Sequence, residues 1–316
     1  MAVVTLMEAL TDRECKTYTS MVVSNPREIF DAHTQTIDEM EYKVLVETKS
    51  GDIGFRNVNG VATTTLPEFD IRRFTPAIAN PHIDVDVVLE DMMNSNPGAA
   101  GQMLMKMKAS VIDGAYRTLG KQFYYGKSNN ADGYEGLVNI LSCKRNNGGK
   151  TPSCDLEFSA GGTTANKQSS IWLIAWGEMN ASVIYGGGIG ANFSWSELMP
   201  RLVQTANGEA THKWSYLRMY PMVAVSRPNC IARICNVESI NDSKLHHVLA
   251  ECEEQGFVPD CIYMRPAILE TLRQSRTATT PTGNPAPTPE DVGGIPIHTT
   301  MSIQRTEAVV SGLTAI

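Results

Sequence analysis

Nowhere in this chain do eighteen apolar residues run together, and its first ten residues, Glu8 among them, show no basic stretch followed by a long apolar one. The sequence therefore offers neither a membrane-spanning helix nor a secretion signal. It also lacks an excess of positive charge: 27 Lys and Arg stand against 34 Asp and Glu, a formal net charge of -7. That sign is wrong for a protein that holds nucleic acid by neutralising its phosphates, so any contact with DNA has to be local or merely enclosing. Paired cysteine spacing is missing too. The seven cysteines, at 15, 143, 154, 230, 235, 252 and 261, are odd in number and scattered, which fits neither a zinc site nor a disulfide framework and suits a reducing cytoplasm.

The motifs of common catalytic chemistry are absent or incomplete. No Gly-x-Ser-x-Gly elbow occurs, and no cysteine has a neighbourhood that marks a nucleophile. Gly149-Lys150-Thr151 and Gly126-Lys127-Ser128 resemble the end of a phosphate-binding loop, but Lys144 and Lys121 occupy the places where its first glycine is required. Gly186, Gly188 and Ala191 fit a dinucleotide fingerprint formally, without a long helix or a βαβ unit behind them. His246 and His247 are adjacent, so on a helix they diverge by about a hundred degrees and read as exposed side chains. The acidic run Asp84, Asp86, Glu90, Asp91 spans a change from strand to helix, where carboxylates favour the helix N-terminus. These residues predict no catalytic, cofactor-binding or metal site.

What is present is a chain of 316 residues, 42% hydrophobic, long enough for a sizeable core or for two or three subdomains. Asn25-Pro26 reads as a cap and first helical position, with Ile29, His33, Ile37 and Met40 following at helical spacing, which predicts an N-terminal arm over 1–41 carrying one amphipathic helix. From Tyr42 the period becomes two. Tyr42, Val44 and Val46 alternate with Lys43, Leu45 and Glu47, a Gly- and Asn-rich stretch follows, and a second strand is expected over 71–87, interrupted by Pro76 and Pro81. A two-stranded excursion of that kind is marginal alone in water and needs a neighbour. Pro97 opens the longest predicted helix, to about Tyr124, with Leu104, Met107, Val111, Ala115, Leu119 and Phe123 on one face. After Gly126 a strand-rich, glycine-broken region is expected. Within it, 170–176 and 181–185 read as two strands with a tight connection, and 216–226 and 230–237 repeat the pattern. Asp242 is taken as the cap of a helix ended by Gly256, Pro266 opens another through about Gln274, prolines stiffen the loop around 281–289, and 295–303 forms a last strand.

This order, together with Phe123-Tyr124-Tyr125-Gly126, Gly133-Tyr134-Glu135-Gly136-Leu137, the run SIWLIAWG from Ser170 to Gly177 and Ile184-Tyr185-Gly186, resembles the Hong Kong 97-type fold of tailed-phage major capsid proteins. The resemblance covers the chain from Thr5 to about Ile303. It departs from the family where Gly186-Gly187 replaces a Pro-Lys, and through the segment 186–218. It implies an α+β fold divided into an N-terminal arm (1–41), an extended loop (42–86), a peripheral domain (87–126) with a spine helix over 97–124, an axial domain (127–290) and a C-terminal strand (291–316) returning to the peripheral domain. It further implies a shell protein with no enzyme activity and no cofactor, assembled in the host cytoplasm into hexamers and pentamers of an icosahedral virion. The implied partners are further copies of the chain, portal and scaffolding proteins and, in some shells, a decoration protein. Double-stranded DNA would be enclosed without sequence-specific binding, and no membrane is involved.

The resemblance places inter-subunit contacts at Lys49, Gly51, Asp52, Phe55, Arg56, Asn57 and Gly60 of the extended loop and at Leu6, Leu10 and Tyr18 of the arm. Some relatives cross-link through a loop lysine, but Lys49 has no matching partner environment in the sequence, so no cross-link is expected. The start of the arm so near Met1 implies a separate scaffolding protein. Two other readings stay open at this point: an encapsulin-type shell around protein cargo, and a nucleotide- or NAD-dependent enzyme using 186–191.

Overall fold

In the computed structural model the described residues are 26–51, 53–61, 66–88, 97–146, 156–188, 195–205, 208–227, 229–277 and 287–316. Helix α1 is a single turn and a half, Arg27–Asp31, because Ala32 turns extended and the chain enters strand β1, Thr34–Thr36. The long amphipathic helix expected through Met40 does not form. β1 instead pairs in parallel with a later strand, Thr34 opposite Val183 and Thr36 opposite Tyr185. Two β-branched residues with a sheet edge available outweigh a helical period of four apolar positions.

Strands β2, Tyr42–Lys49, and β3, Glu68–Phe74, form the expected two-stranded ladder. The second strand does not run on to residue 87. It stops before Pro76, and residues beyond Pro81 make a separate strand, β4, His82–Asp86, at the edge of another sheet. Helix α2 spans Pro97–Tyr125, 29 residues and about 44 Å at 1.5 Å per residue. Gly126, at φ +51°, ends it in a one-turn 3-10 helix, Gly126–Ser128. A side chain there would collide with the backbone of Gly136, so the two glycines permit the close crossing of the chain. Helix α3, Leu137–Asn146, follows where an irregular strand-rich run was expected; its Leu137 and Leu141, four residues apart, are both buried.

The remaining strands are β5 Glu157–Ser159, β6 Ser169–Ile174, β7 Ala181–Tyr185, β8 Met199–Thr205, β9 Gly208–Tyr216, β10 Pro221–Val225, β11 Ile231–Val237, β12 Cys261–Met264, β13 Asp291–Val292, β14 Ile295–Thr299 and β15 Thr314–Ala315. Helices α4, Asp242–Glu254, and α5, Pro266–Thr277, lie between them. The α4 cap is Asn241, whose side chain accepts from the Lys244 N–H, so Asp242 is the first helical residue and not the cap.

A seven-stranded sheet has the order β13-β14-β12-β6-β11-β5-β15, and three-stranded sheets have the orders β1-β7-β10 and β4-β9-β8. The expected hairpins of β6 with β7 and of β10 with β11 are not formed. β6 pairs with β11 and β7 with β10, both antiparallel, so two chain segments cross together from one sheet to the next, one of them bending at 175–180. Tight local connections suggest hairpins; here the 177–180 turn is a corner. Every residue of β6, β7, β10 and β11 is buried, as befits apolar runs covered on both faces. The aromatic end of α2 supplies part of that cover: the Tyr124 ring lies 5.7 Å from Trp172, and Phe123 lies 5.8 Å from Trp176.

One polar cluster sits inside this core. The Arg233 guanidinium on β11 donates to Glu307 (3.1 Å), to the Ser170 hydroxyl (3.1 and 3.2 Å) and to Glu157 (3.5 Å), and stacks 4.9 Å from the Trp172 ring. Tyr125, the last residue of α2, donates its hydroxyl to Glu307 and accepts from the Gln304 N–H at 2.7 Å. Burial and the neighbouring Glu307 carboxylate push the Tyr125 hydroxyl well above its ordinary range, so it stays a donor. The helix, the sheet and the C-terminal segment thus share one set of hydrogen bonds.

A second buried group fastens α1. Glu28 is fully buried, and neither carboxylate oxygen has a well-formed hydrogen bond among the described residues. It faces α2 at Gly120, where an added Cβ would lie 2.6 Å from Glu28 Oε1 and would strike Ser302. Burial raises its pKa above the ordinary 4.5, opposed by the Ser302 and Thr300 hydroxyls and assisted by Asp31 on the same helix; the Tyr124 and Tyr134 hydroxyls are the other titratable groups that sense it.

Two outcomes are expected. Arg233→Met leaves two buried carboxylates without their cation and should cost about 3–5 kcal/mol of stability, read as a lower denaturant midpoint; an unchanged midpoint would show that the cluster contributes nothing. For Glu28 the native pKa is the higher one, so the unfolded chain gives up this proton first as pH rises. The stability contributed by the neutral buried carboxyl is complete below 4.5 and is lost as pH climbs through the raised native value. Glu28→Gln should therefore raise the melting temperature at neutral pH and leave it unchanged in acid, and equal curves at both would refute this account.

Candidate functional site

The β2–β3 ladder projects from a root that is well packed. Val46 and Phe74 are buried, the Tyr42 and Phe74 rings lie 6.5 Å apart, and Arg72 donates to the Val225 carbonyl at 3.1 Å. Glu41 forms ion pairs with Lys43 (3.0 Å) and Arg73 (3.8 Å) at the same end. The eight residues of β2 span about 27 Å at 3.4 Å each, long for two strands with no third.

Beyond the root the arm turns apolar groups to solvent. Leu45 opposes Ile71 and Glu47 opposes Phe69, so Leu45, Phe69 and Ile71 share one face, each more than half exposed. In the loop, Phe55 is 98% exposed, Val58 94% and Val61 92%, with Ile53 and Leu66 nearly as open. The loop has its own scaffold: Gly60 N–H donates to the Asn57 carbonyl at 2.9 Å, Arg56 donates to the Gly60 carbonyl at 3.0 Å, and Asn59 takes φ +69°. Eight large apolar side chains exposed on one arm are of the kind that marks a contact with another molecule.

The sequence-derived site residues therefore fall mostly on this arm. Lys49, Gly51, Phe55, Arg56, Asn57 and Gly60 are there, with Lys49 3.7 Å from Glu68 across the ladder. Asp52, Leu6, Leu10 and Tyr18 lie outside the described residues. Sequence reading passed over Leu45, Val58, Val61, Phe69 and Ile71, whose signal was available: apolar residues on both faces of a strand pair whose partner on one face is missing.

The remaining motifs resolve as structure. Lys127 bonds Glu135 at 3.1 Å and its N–H donates to Asn139, so Gly126-Lys127-Ser128 closes a turn. Gly186 donates to the Tyr220 carbonyl, and Gly187 and Gly188 both take φ +67° in the bend after β7; Ala191 and Gly149-Lys150-Thr151 lie outside the described residues. His246 and His247 are exposed on α4. Asp84 and Asp86 flank His212 across the β4–β9 ladder, at 3.3 and 4.0 Å, a partner that the sequence did not suggest; Glu90 and Asp91 lie outside the described residues. Among the described residues no three His, Cys, Asp or Glu side chains converge as metal ligands, and no helix is long and apolar enough to cross a membrane.

Comparisons with known proteins bear on the family and the fold. The sequence profile of the family described as Major capsid protein GP7 matches residues 77–311. No curated protein matches the chain in sequence. Among solved structures, the chain is similar to one in the cryo-EM structure of bacteriophage Epsilon15, with a TM-score of 0.69 at 16% identity over 99% of this chain and 98% of that one. It is also similar to a chain of the bacteriophage JBD30 capsid decorated with minor capsid protein trimers, with a TM-score of 0.52 at 12% identity over 95% and 99%.

Titration of the purified protein with NAD or ATP is expected to give no saturable binding. A stoichiometric isotherm with either would restore the dinucleotide or phosphate-loop reading of 186–191 or 126–128.

Proposed function

The chain belongs to the GP7 family of major capsid proteins and is a structural subunit of the icosahedral capsid of a tailed phage, a virion component and not an enzyme, and from that premise we propose how it closes the shell. The β2–β3 arm lies across the next subunit, which covers the apolar face that its own chain leaves bare. The observation that carries this reading is the exposure of eight large apolar side chains on an arm whose root is rigid. Contact between an arm on one copy and a different patch on the next is heterologous, and repeating it around six- and five-fold axes gives closed hexamers and pentamers.

The division into an arm (1–41), extended loop (42–86), peripheral (87–126), axial (127–290) and C-terminal (291–316) parts belongs to the same proposal, with β4 pairing outside the loop. So do Lys49, Gly51, Asp52, Phe55, Arg56, Asn57 and Gly60, with Leu6, Leu10 and Tyr18, as contact residues. Portal and scaffolding proteins complete the shell, and the decoration of the JBD30 capsid supports a place for a decoration protein. The net charge of -7 suits a wall that encloses double-stranded DNA without binding its sequence.

Phe55→Ser with Val58→Ser tests the arm. Both side chains are solvent-exposed in the single chain, so the melting temperature should stay within a degree or so, while each contact loses about 1.5–3 kcal/mol per side chain, weakening assembly about 10²–10⁴-fold. Electron microscopy should then show closed shells for the parent and small oligomers for the variant. Shells at parental yield would overturn the proposal.

A further inference from the structure

β6 runs on into β7 and β10 into β11, yet β6 and β11 belong to the seven-stranded sheet and β7 and β10 to a three-stranded one, so two connections span a joint between sheets. The segment 27–37 crosses the same joint as a third link. At one end it belongs to the three-stranded sheet: β1 lies parallel to β7, the Val183 N–H donates to the His33 carbonyl at 2.9 Å, and the Ile37 N–H donates to the Tyr185 carbonyl at 2.9 Å. At the other end Asp31, the last residue of α1, reaches the seven-stranded sheet. It accepts from the Tyr263 hydroxyl at 3.2 Å and lies 2.5 Å from Nδ1 of His298. Tyr263 and His298 are partners in register on β12 and β14, with rings 5.7 Å apart and edge to face, so two adjacent strands present both groups to one carboxylate.

The two ends differ in kind. The β1 end rests on backbone hydrogen bonds, which do not titrate. The α1 end rests on ionisable side chains. A protonated His298 adds an ion pair to its hydrogen bond with Asp31, whereas a neutral imidazole keeps the hydrogen bond alone. Glu28, on the same helix, is buried, and Asp31 adds repulsion to its charged form. Its contribution is complete below 4.5 and is lost as pH climbs through the raised native value. Both groups therefore hold α1 more firmly with a proton than without one. The remaining neighbours leave that sign unchanged. Burial keeps the Tyr124, Tyr134 and Tyr263 hydroxyls and the Cys261 thiol neutral, and the Ser302 and Thr300 hydroxyls oppose the Glu28 shift without reversing it. Asp260 is engaged by the Trp176 N–H at 2.6 Å, and Arg265 donates to the Ile303 carbonyl at 2.5 Å.

We propose that residues 27–37 form a brace across the joint between the two sheets, with a clasp at Asp31 that holds while His298 and Glu28 are protonated and loosens when they are not. The subunit is then stiff in acid and free to change the angle between its sheets at higher pH, while β1 stays on β7 throughout. The brace shares no residue with the β2–β3 arm, so it stands or falls independently of the contact that the arm makes.

Hydrogen exchange of the full chain, read by mass spectrometry at pH 5 and pH 8 and corrected for the intrinsic rate, reports on the clasp. Protection over 27–32 should fall about tenfold on going from pH 5 to pH 8, the effect of one pKa unit, while peptides covering β6 and β7 keep theirs. A constant protection over 27–32 would overturn the proposal. So would an equal fall in all three regions, because that reports global unfolding and not a local opening. Asp31→Asn should expose 27–32 already at pH 5. Glu28→Gln combined with His298→Lys, which keeps a cation opposite Asp31 at both pH values, should hold the segment closed at pH 8. A parental profile in Asp31→Asn, or opening at pH 8 in the double variant, would remove the clasp. Protection of β6 checks that each variant is folded, and where a variant is not, the profile of the parent chain decides.

Discussion

The Arg233 side chain is the joint on which the molecule depends. It stands on an inner strand of a seven-stranded sheet whose inner strands are buried throughout, and Glu157 and Glu307 reach it from two other segments to balance its charge. Glu307 is also bonded by Tyr125, the last residue of the 29-residue helix. A buried cluster of this kind, taken as a whole, contributes little net stability against an apolar replacement of all its members, since desolvation consumes most of the attraction; only removing the cation alone is costly. Its effect is on placement: the helix end, the central strands and the C-terminal segment can satisfy their buried groups together in one arrangement and not separately.

That fixed centre makes an exposed arm workable. The β2–β3 ladder is anchored by two buried side chains and one hydrogen bond to β10, and everything beyond carries apolar groups into water. Eight such side chains bare on one chain make a surface that association would cover. The same rigidity that costs little in the core limits where the loop can go, so fewer contacts compete when the next copy arrives. In the proposed reading, assembly rests on a surface that is incomplete in the monomer and a core that is complete.

Two buried acid groups play opposite parts. Glu307 is matched by a cation, a tyrosine and a serine. Glu28 has no such company, and burial favours its neutral form. The first is a connector; the second ties α1 to α2 and the 300–303 segment with a strength that depends on pH. Gly120 makes that tie possible by leaving room for the carboxyl against the helix.

Local patterning in the sequence was enough to determine the alternation over 42–49, the helix opened by Pro97, the glycine stop at 256 and the proline start at 266, because each of these depends on residues a turn or a pleat apart. The loop around Phe55 was singled out by the family resemblance and not by local patterning. The tertiary structure alone decided that β1 would replace a helix after Ala32, that β6 and β7 would part into different sheets, that Asn241 and not Asp242 would cap α4, and that His212 would face Asp84. It also decided the Arg233 cluster, whose members at 125, 157, 170, 233 and 307 are far apart in the chain. Pairing energy between distant segments is as large as local preference, and a sequence read window by window contains only the second.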